Sequence, residues 1–276
     1  MKAMTTEILT WRRTRAIAVL TVREAMRQRL VAAFLLLALA LVAGVHALRD
    51  LNFGGSLSAF VADCGFGVMA VIGSALAISL TAQLVLVEVE SRTVDTLFAK
   101  PVTRAEFVVG KFLGLAGLLA AFCAFITVLL TLLVAVPPAA PIEWASGDRP
   151  AVALRELAVG GYLQWLKLII LAALVLLVAS YARTQLFVVV AGIVLLLAGH
   201  LQSVAHDAYA RSASMLVKAI GFVTTGWLPN FNLFAAPPGG STGADPMSLG
   251  FLSLYAGGYV LVACGLTAIC FWHREL

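Results

Sequence analysis

Six stretches of the chain run almost wholly apolar for about twenty residues or more: 30–48, 65–87, 108–136, 162–181, 186–204 and 250–272. About twenty residues at 1.5 Å per residue match the thickness of a bilayer's hydrocarbon core. The pattern therefore predicts an all-α, polytopic membrane protein with six transmembrane helices, read as one permease-like domain over residues 1–276. The polar stretches between the runs carry the rest of the organisation. Residues 12–29, RRTRAIAVLTVREAMRQR, place Val19, Val22 and Met26 on one helical face. Arg13, Arg23, Glu24, Arg27 and Gln28 lie on the other. A basic amphipathic helix leading directly into a span is expected to lie on the membrane surface. The plainer alternative is a charged flank that only orients the first span.

Three segments join the spans on the opposite side. Residues 49–64 are expected to be a loop. Residues 137–161 open with Pro137-Pro138 and suggest a short helix from Pro150 that stops at Gly160-Gly161. Residues 205–249 form the longest outer loop. Its apolar stretch 215–234 is interrupted by Gly226 and Pro229, which is too broken for a span. Such a stretch can enter the membrane as a re-entrant segment only where protein or water covers its backbone.

Composition agrees with a membrane class. Of 276 residues, 62% are hydrophobic and 12% charged, and the mean hydropathy is +1.00. A soluble domain carries about half apolar residues. The net charge of +5 raises nucleic-acid binding as one reading. Lys and Arg instead cluster beside apolar runs, as positive-inside topology requires. With both termini in the cytoplasm, thirteen of the nineteen Lys and Arg residues fall on the inner side and five on the outer. Lys167 is then expected near the outer end of the fourth span, reaching outward to the interface. Trp144, Tyr162, Trp165 and Trp227 suit the outer interface, and Trp11 and Trp272 the inner. The first run is longer than a signal-peptide core and is expected to be retained.

Soluble-enzyme chemistry has no foothold here. The only Gly-Lys pair, Gly110-Lys111, is followed by Phe112 and lacks the glycines and hydroxyl of a phosphate loop. The chain is therefore expected to bind no ATP itself. Cys64, Cys123, Cys264 and Cys270 lie in or beside apolar runs without metal-ligand spacing, and His46, His200 and His206 are scattered. No metal site and no catalytic residues are expected.

The second cytoplasmic segment, EVESRTVDTLFAKPVTRAEFVVGK over 88–111, is the informative one. Glu88 and Glu90 close the second span. Residues 91–99 can form a short helix with Glu90 at its positive end, and Pro101 terminates it. Thr103-Arg104-Ala105-Glu106 matches a capping box before the next span. A simple turn needs only a few residues. This segment spends about twenty and holds Val94, Leu97 and Phe98 as an apolar anchor, as a docking element would.

The segment resembles the cytoplasmic signature of type-2 ABC transporter permeases, roughly E-x-E-x-G-T-L-x-x-L-x-x-x-P-V-S-R-x-E-F-x-x-G-K. Glu88, Glu90, Thr93, Leu97, Pro101, Val102, Arg104, Glu106, Phe107, Gly110 and Lys111 match it, while Arg92 stands where the family usually has Gly. Arg23-Glu24 before the first span, Leu228-Pro229-Asn230-Phe231 and the terminal 272–276 are similar too. The resemblance implies a permease subunit of an exporter in the bacterial inner membrane. It also implies a second permease copy or a related permease, membrane lipids around the chain, and a cytoplasmic ATPase dimer that holds the ATP and Mg. Nucleic acid is not among the partners. Residues 88–107 would be the coupling segment, with Glu88, Glu90, Thr93, Asp95, Leu97, Phe98, Pro101 and Arg104 at the ATPase. Arg23, Glu24 and Arg27 would belong to the interface helix. Gly110-x-x-x-Gly114 and Gly73-x-x-x-Ala77 are candidate close-packing faces between spans.

Two other classes compete. A stand-alone secondary transporter or channel predicts charges within the membrane and inverted repeats. Asp63 and Gln83 are the mid-chain candidates, both near span ends. An integral membrane enzyme needs a polar cluster at depth, and the sequence reveals none.

Overall fold

The structure, a computed structural model, describes residues 2–47, 57–90, 103–135, 154–210, 227–235 and 246–273. All regular structure among them is helical. In chain order the helices are α1 (Lys2–Arg27), α2 (Arg29–Ala47), α3 (Leu57–Glu90), α4 (Arg104–Ala135), α5 (Leu154–Tyr181), α6 (Gln185–Ala210) and α7 (Pro246–His273). A 3-10 turn, Phe231–Phe234, precedes α7. Five helices contain a stretch long and apolar enough to cross a membrane: Phe60–Leu86, Ala105–Val134, Leu154–Tyr181, Gln185–Tyr209 and Met247–Cys270. The bent pair Trp11–Arg27 and Arg29–Val45 brings the number to six.

That pair bends by 67° at Gln28. The bend falls between Arg27 and Arg29, where the basic segment gives way to the apolar run. Lipid takes the run and excludes the charges, so a change of direction there lets α1 lie across the axis of α2. Val19 and Met26, expected on the face turned to the membrane, do not lie on the face of α1 that packs into the bundle. Thr14, Thr21 and Ala25 are buried, whereas Val19 and Met26 are exposed with Trp11 and Leu20. Short side chains allow closer approach to the bundle than long ones, so they win the packed face.

Helix α5 is the axis of the bundle and contacts α3, α4, α6 and α7. Leu168, Ile170, Leu171, Ala172, Ala173 and Val175 are wholly buried. A helix apolar all round belongs inside, and residues 168–178 of α5 meet that description.

Three boundaries differ from expectation. Helix α3 begins at Leu57, inside the expected 49–64 loop. Helix α6 continues to Ala210, past the expected start of the outer loop at 205. The third is the most consequential: α5 starts at Leu154 and passes through Gly160-Gly161 without stopping. A Cβ on Gly160 would collide with the Phe66 ring and one on Gly161 with the Thr127 side chain. These glycines admit neighbouring helices and do not end their own. Trp165 also departs from its expected interfacial position: it is half-buried and donates its indole N–H to the Ala116 carbonyl at 3.1 Å.

Candidate functional site: the coupling end and a mid-bundle lysine

Where α3 ends and α4 begins, the chain builds a joint. Thr103 Oγ1 accepts from the Glu106 N–H at 3.3 Å, and Glu106 Oε2 accepts from the Thr103 N–H at 2.8 Å. The expected capping box is thus formed, and it fixes where α4 starts. Glu106 is buried, and its Oε1 has no hydrogen-bond partner among the described residues.

Lys111 lies one turn further on, about 10 Å into α4. It is 5% exposed. Its Nζ donates to the Leu84 carbonyl of α3 at 3.0 Å and sits 3.6 Å from Glu24 Oε2 of α1. The Phe107 ring lies 5.9 Å away. One ammonium therefore ties together the helices on either side of residues 91–102 and the helix that lies across them. Burial strengthens this tie, because the charge has few other partners in a low-dielectric interior.

Two glycines set the distance. A Cβ on Gly110 would stand 2.8 Å from Ile17 and 3.0 Å from the Thr14 carbonyl oxygen. One on Gly114 would stand 2.7 Å from both the Ala18 carbonyl oxygen and Thr21 Cβ. The Gly110-x-x-x-Gly114 face thus seats α1, not another span as expected. Gly73-x-x-x-Ala77 does pack within the bundle, with Gly73 against Leu168 and Phe122 and Ala77 fully buried.

Glu88 and Glu90 occupy the last turn of α3, and Arg104 is the first residue of α4. Thr93, Asp95, Leu97, Phe98 and Pro101 lie outside the described residues. Arg23 and Arg27 are exposed on α1 and Glu24 is turned to Lys111.

Sequence reasoning missed a second polar cluster. Lys167 is 6% exposed and stands at the middle of α5, about 20 Å from either end. It is not near the outer end and does not reach out to an interface. Counting the span from Tyr162 instead of Leu154 caused the error. Lys167 Nζ donates to His200 Nε2 at 2.9 Å. A protonated amine cannot accept, so the imidazole proton sits on Nδ1, which lies 2.8 Å from the Leu196 carbonyl. Phe231 packs edge-on to His200 and lies 6.0 Å from Lys167 Nζ. His200 is therefore not an isolated core histidine. The usable signal was a lysine and a histidine each set inside an apolar run.

The Phe231–Phe234 turn closes over this pair. Asn230 caps it through the Asn232 N–H at 3.0 Å. Asn232 Nδ2 donates to the His200 carbonyl at 3.0 Å and to Ser203 Oγ at 2.6 Å. The Asn230 N–H donates to the Tyr255 hydroxyl at 3.0 Å. A Cβ on Gly199 would collide with the Phe231 ring. Gly199 is about 16 Å inside the end of α6 and Tyr255 about 14 Å inside the start of α7. Residues 227–235 therefore sit among the helices and not beyond their ends. Asp63 and Gln83, the expected mid-chain polar candidates, take no part in this cluster.

Among the described residues, no group of three or more His, Cys, Asp or Glu side chains is arranged to hold a metal ion. Comparison with curated proteins finds no match. The family model described as "ABC-2 family transporter protein" matches residues 14–237. That match runs from within α1, through residues 91–102 and the bundle, past the Phe231–Phe234 turn. The chain is a multi-pass helical membrane protein and belongs to the ABC-2 family of transporter proteins.

Proposed function

We propose that this chain is the permease subunit of an exporter whose ATP hydrolysis is performed by a separate cytoplasmic ATPase dimer. Two permeases, identical or related, would enclose the path, with both termini on the cytoplasmic side of a bacterial inner membrane. ATP and Mg would stay on the ATPase, and this chain would carry no catalytic residue. The coupling helix would lie over 90–99. The observation that carries the reading is the Lys111 joint. A push delivered to residues 91–102 reaches α3 through Leu84, α4 through Lys111 itself and α1 through Glu24. Three helices then move as one body, which is what a mechanical input to a bundle needs. Helix α1 suits the membrane surface, with Arg12, Arg15 and Arg23 beside exposed Trp11, Val19 and Leu20. Residues 227–235 would be the inner part of a re-entrant segment, covered by α5, α6 and α7 as lipid exclusion demands.

The test is copurification in mild detergent. An ATPase subunit should accompany the chain in an assembly of two permeases and two ATPases, and the isolated chain should not hydrolyse ATP. A monomer that transports in liposomes without any ATPase would overturn the reading. Topology is checked separately: cysteines placed at Ser56 and Ser146 should react with an impermeant thiol reagent on intact cells, and one at Thr103 should not.

A stand-alone secondary transporter is the second reading, and the buried Lys167 favours it, because such carriers place ionisable groups at depth. The family match supports the first.

A further inference from the structure

Lys111 and Lys167 are equally buried, but only Lys111 has a carboxylate beside it. Among the described residues, Lys167 meets His200 and the Phe231 ring and no acidic group. One of its three ammonium hydrogens is used on His200 Nε2. The other two find no acceptor among these residues. An uncompensated cation in a low-dielectric interior is strongly unfavourable until an opposite charge joins it. Ionisable groups held within spans mark ligand or ion paths for that reason.

What covers Lys167 is a single short turn. The Phe231–Phe234 turn is joined to the helices by three single hydrogen bonds and by the buried Phe231 and Phe234 rings, not by a backbone ladder. Leu233 of the turn is exposed, as are Leu197, Leu201 and Val204 on the adjoining face of α6. A ligand arriving from that side would meet apolar surface before it met the cation.

We propose that Lys167 and His200 form a recognition point for an oxyanion headgroup, carboxylate or phosphate, carried on an apolar tail. The oxyanion replaces the imidazole as the acceptor for Lys167 when the turn lifts, and the tail lies along α6. As a statement about the transported substrate this rests on the permease reading. As a binding site it stands on the geometry alone, and it is tested on the chain without any ATPase, so the two fail separately.

The purified chain in phosphatidylcholine nanodiscs is titrated with phosphatidylglycerol, and thermal stability and bound lipid are read, the latter by native mass spectrometry. Wild type and Lys167→Arg should be stabilised. Lys167→Met should bind at least about tenfold more weakly, the cost of losing a charge-assisted hydrogen bond. The triple variant Arg12→Gln, Arg15→Gln, Arg23→Gln removes lipid binding on α1 and should leave the Lys167-dependent part intact. Inorganic phosphate is a parallel arm. Protection of wild type but not Lys167→Met by phosphate supports the oxyanion site and identifies a free anion, not a lipid headgroup, as its ligand. A photoreactive phosphatidylglycerol on wild type, which needs no variant to fold, should crosslink within residues 196–204 or 227–235. Equal phosphatidylglycerol binding by Lys167→Met and wild type, or crosslinks confined to α1, overturns the proposal.

Discussion

Two lysines of nearly equal burial divide this molecule into a mechanical end and a chemical middle. Lys111, 5% exposed, has a carbonyl at 3.0 Å and a carboxylate at 3.6 Å. Lys167, 6% exposed, has an imidazole at 2.9 Å and an aromatic ring. The first is neutralised by its neighbours and joins three helices. The second has no carboxylate beside it among the described residues and joins two helices and a turn. Burial alone therefore says little about a charged residue's role, and the charge of its partner decides it.

The contrast predicts effects of opposite sign. Lys167→Met removes a buried amine with unused donor hydrogens and should raise the stability of the chain without ligand by about 1–3 kcal/mol. Glu24→Ala strands the Lys111 ammonium and should lower stability by about 1–3 kcal/mol, less than for a fully buried pair because Glu24 is partly hydrated. Thermal unfolding in detergent reads both, and shifts in the same direction would remove the distinction between the two lysines. Next in size are the glycines. Gly114→Leu should cost about 1–3 kcal/mol by forcing α1 off α4. Gly117→Leu should be close to neutral, because nothing lies within 4 Å of its Cβ position. Equal losses at both would mean that the effect comes from the helix and not from the seat of α1. The smallest expected effect is Thr103→Ala, about 1 kcal/mol through the lost cap. It should fray the start of α4 and be visible as faster amide exchange at 104–107.

Much of the fold was legible because a bilayer permits few solutions. Each of the six apolar runs lies on its own helix, and the capping box at Thr103 and Glu106 formed as its spacing implied. Local chemistry governs such features. The errors came where a residue's meaning depends on a neighbour distant in sequence. Gly160 and Gly161 read as a helix stop until Phe66 and Thr127 stand against them. That error displaced the start of α5, moved Lys167 from the middle to an edge, and hid its pairing with His200, 33 residues away. The bundle-facing side of α1 was not legible for a related reason: the glycines that receive it lie on α4.

The claim that motion enters through the segment between α3 and α4 is tested most directly by Asp95→Lys and Leu97→Asp, each examined for ATPase capture from membranes and for transport in the same vesicles. Both variants should insert normally. Capture should fall at least about tenfold, the scale expected when a buried apolar anchor or one member of a buried charge pair is lost, and transport should cease. Parent-like capture and transport by both variants would contradict the account and leave residues 91–102 as a connection without a mechanical role.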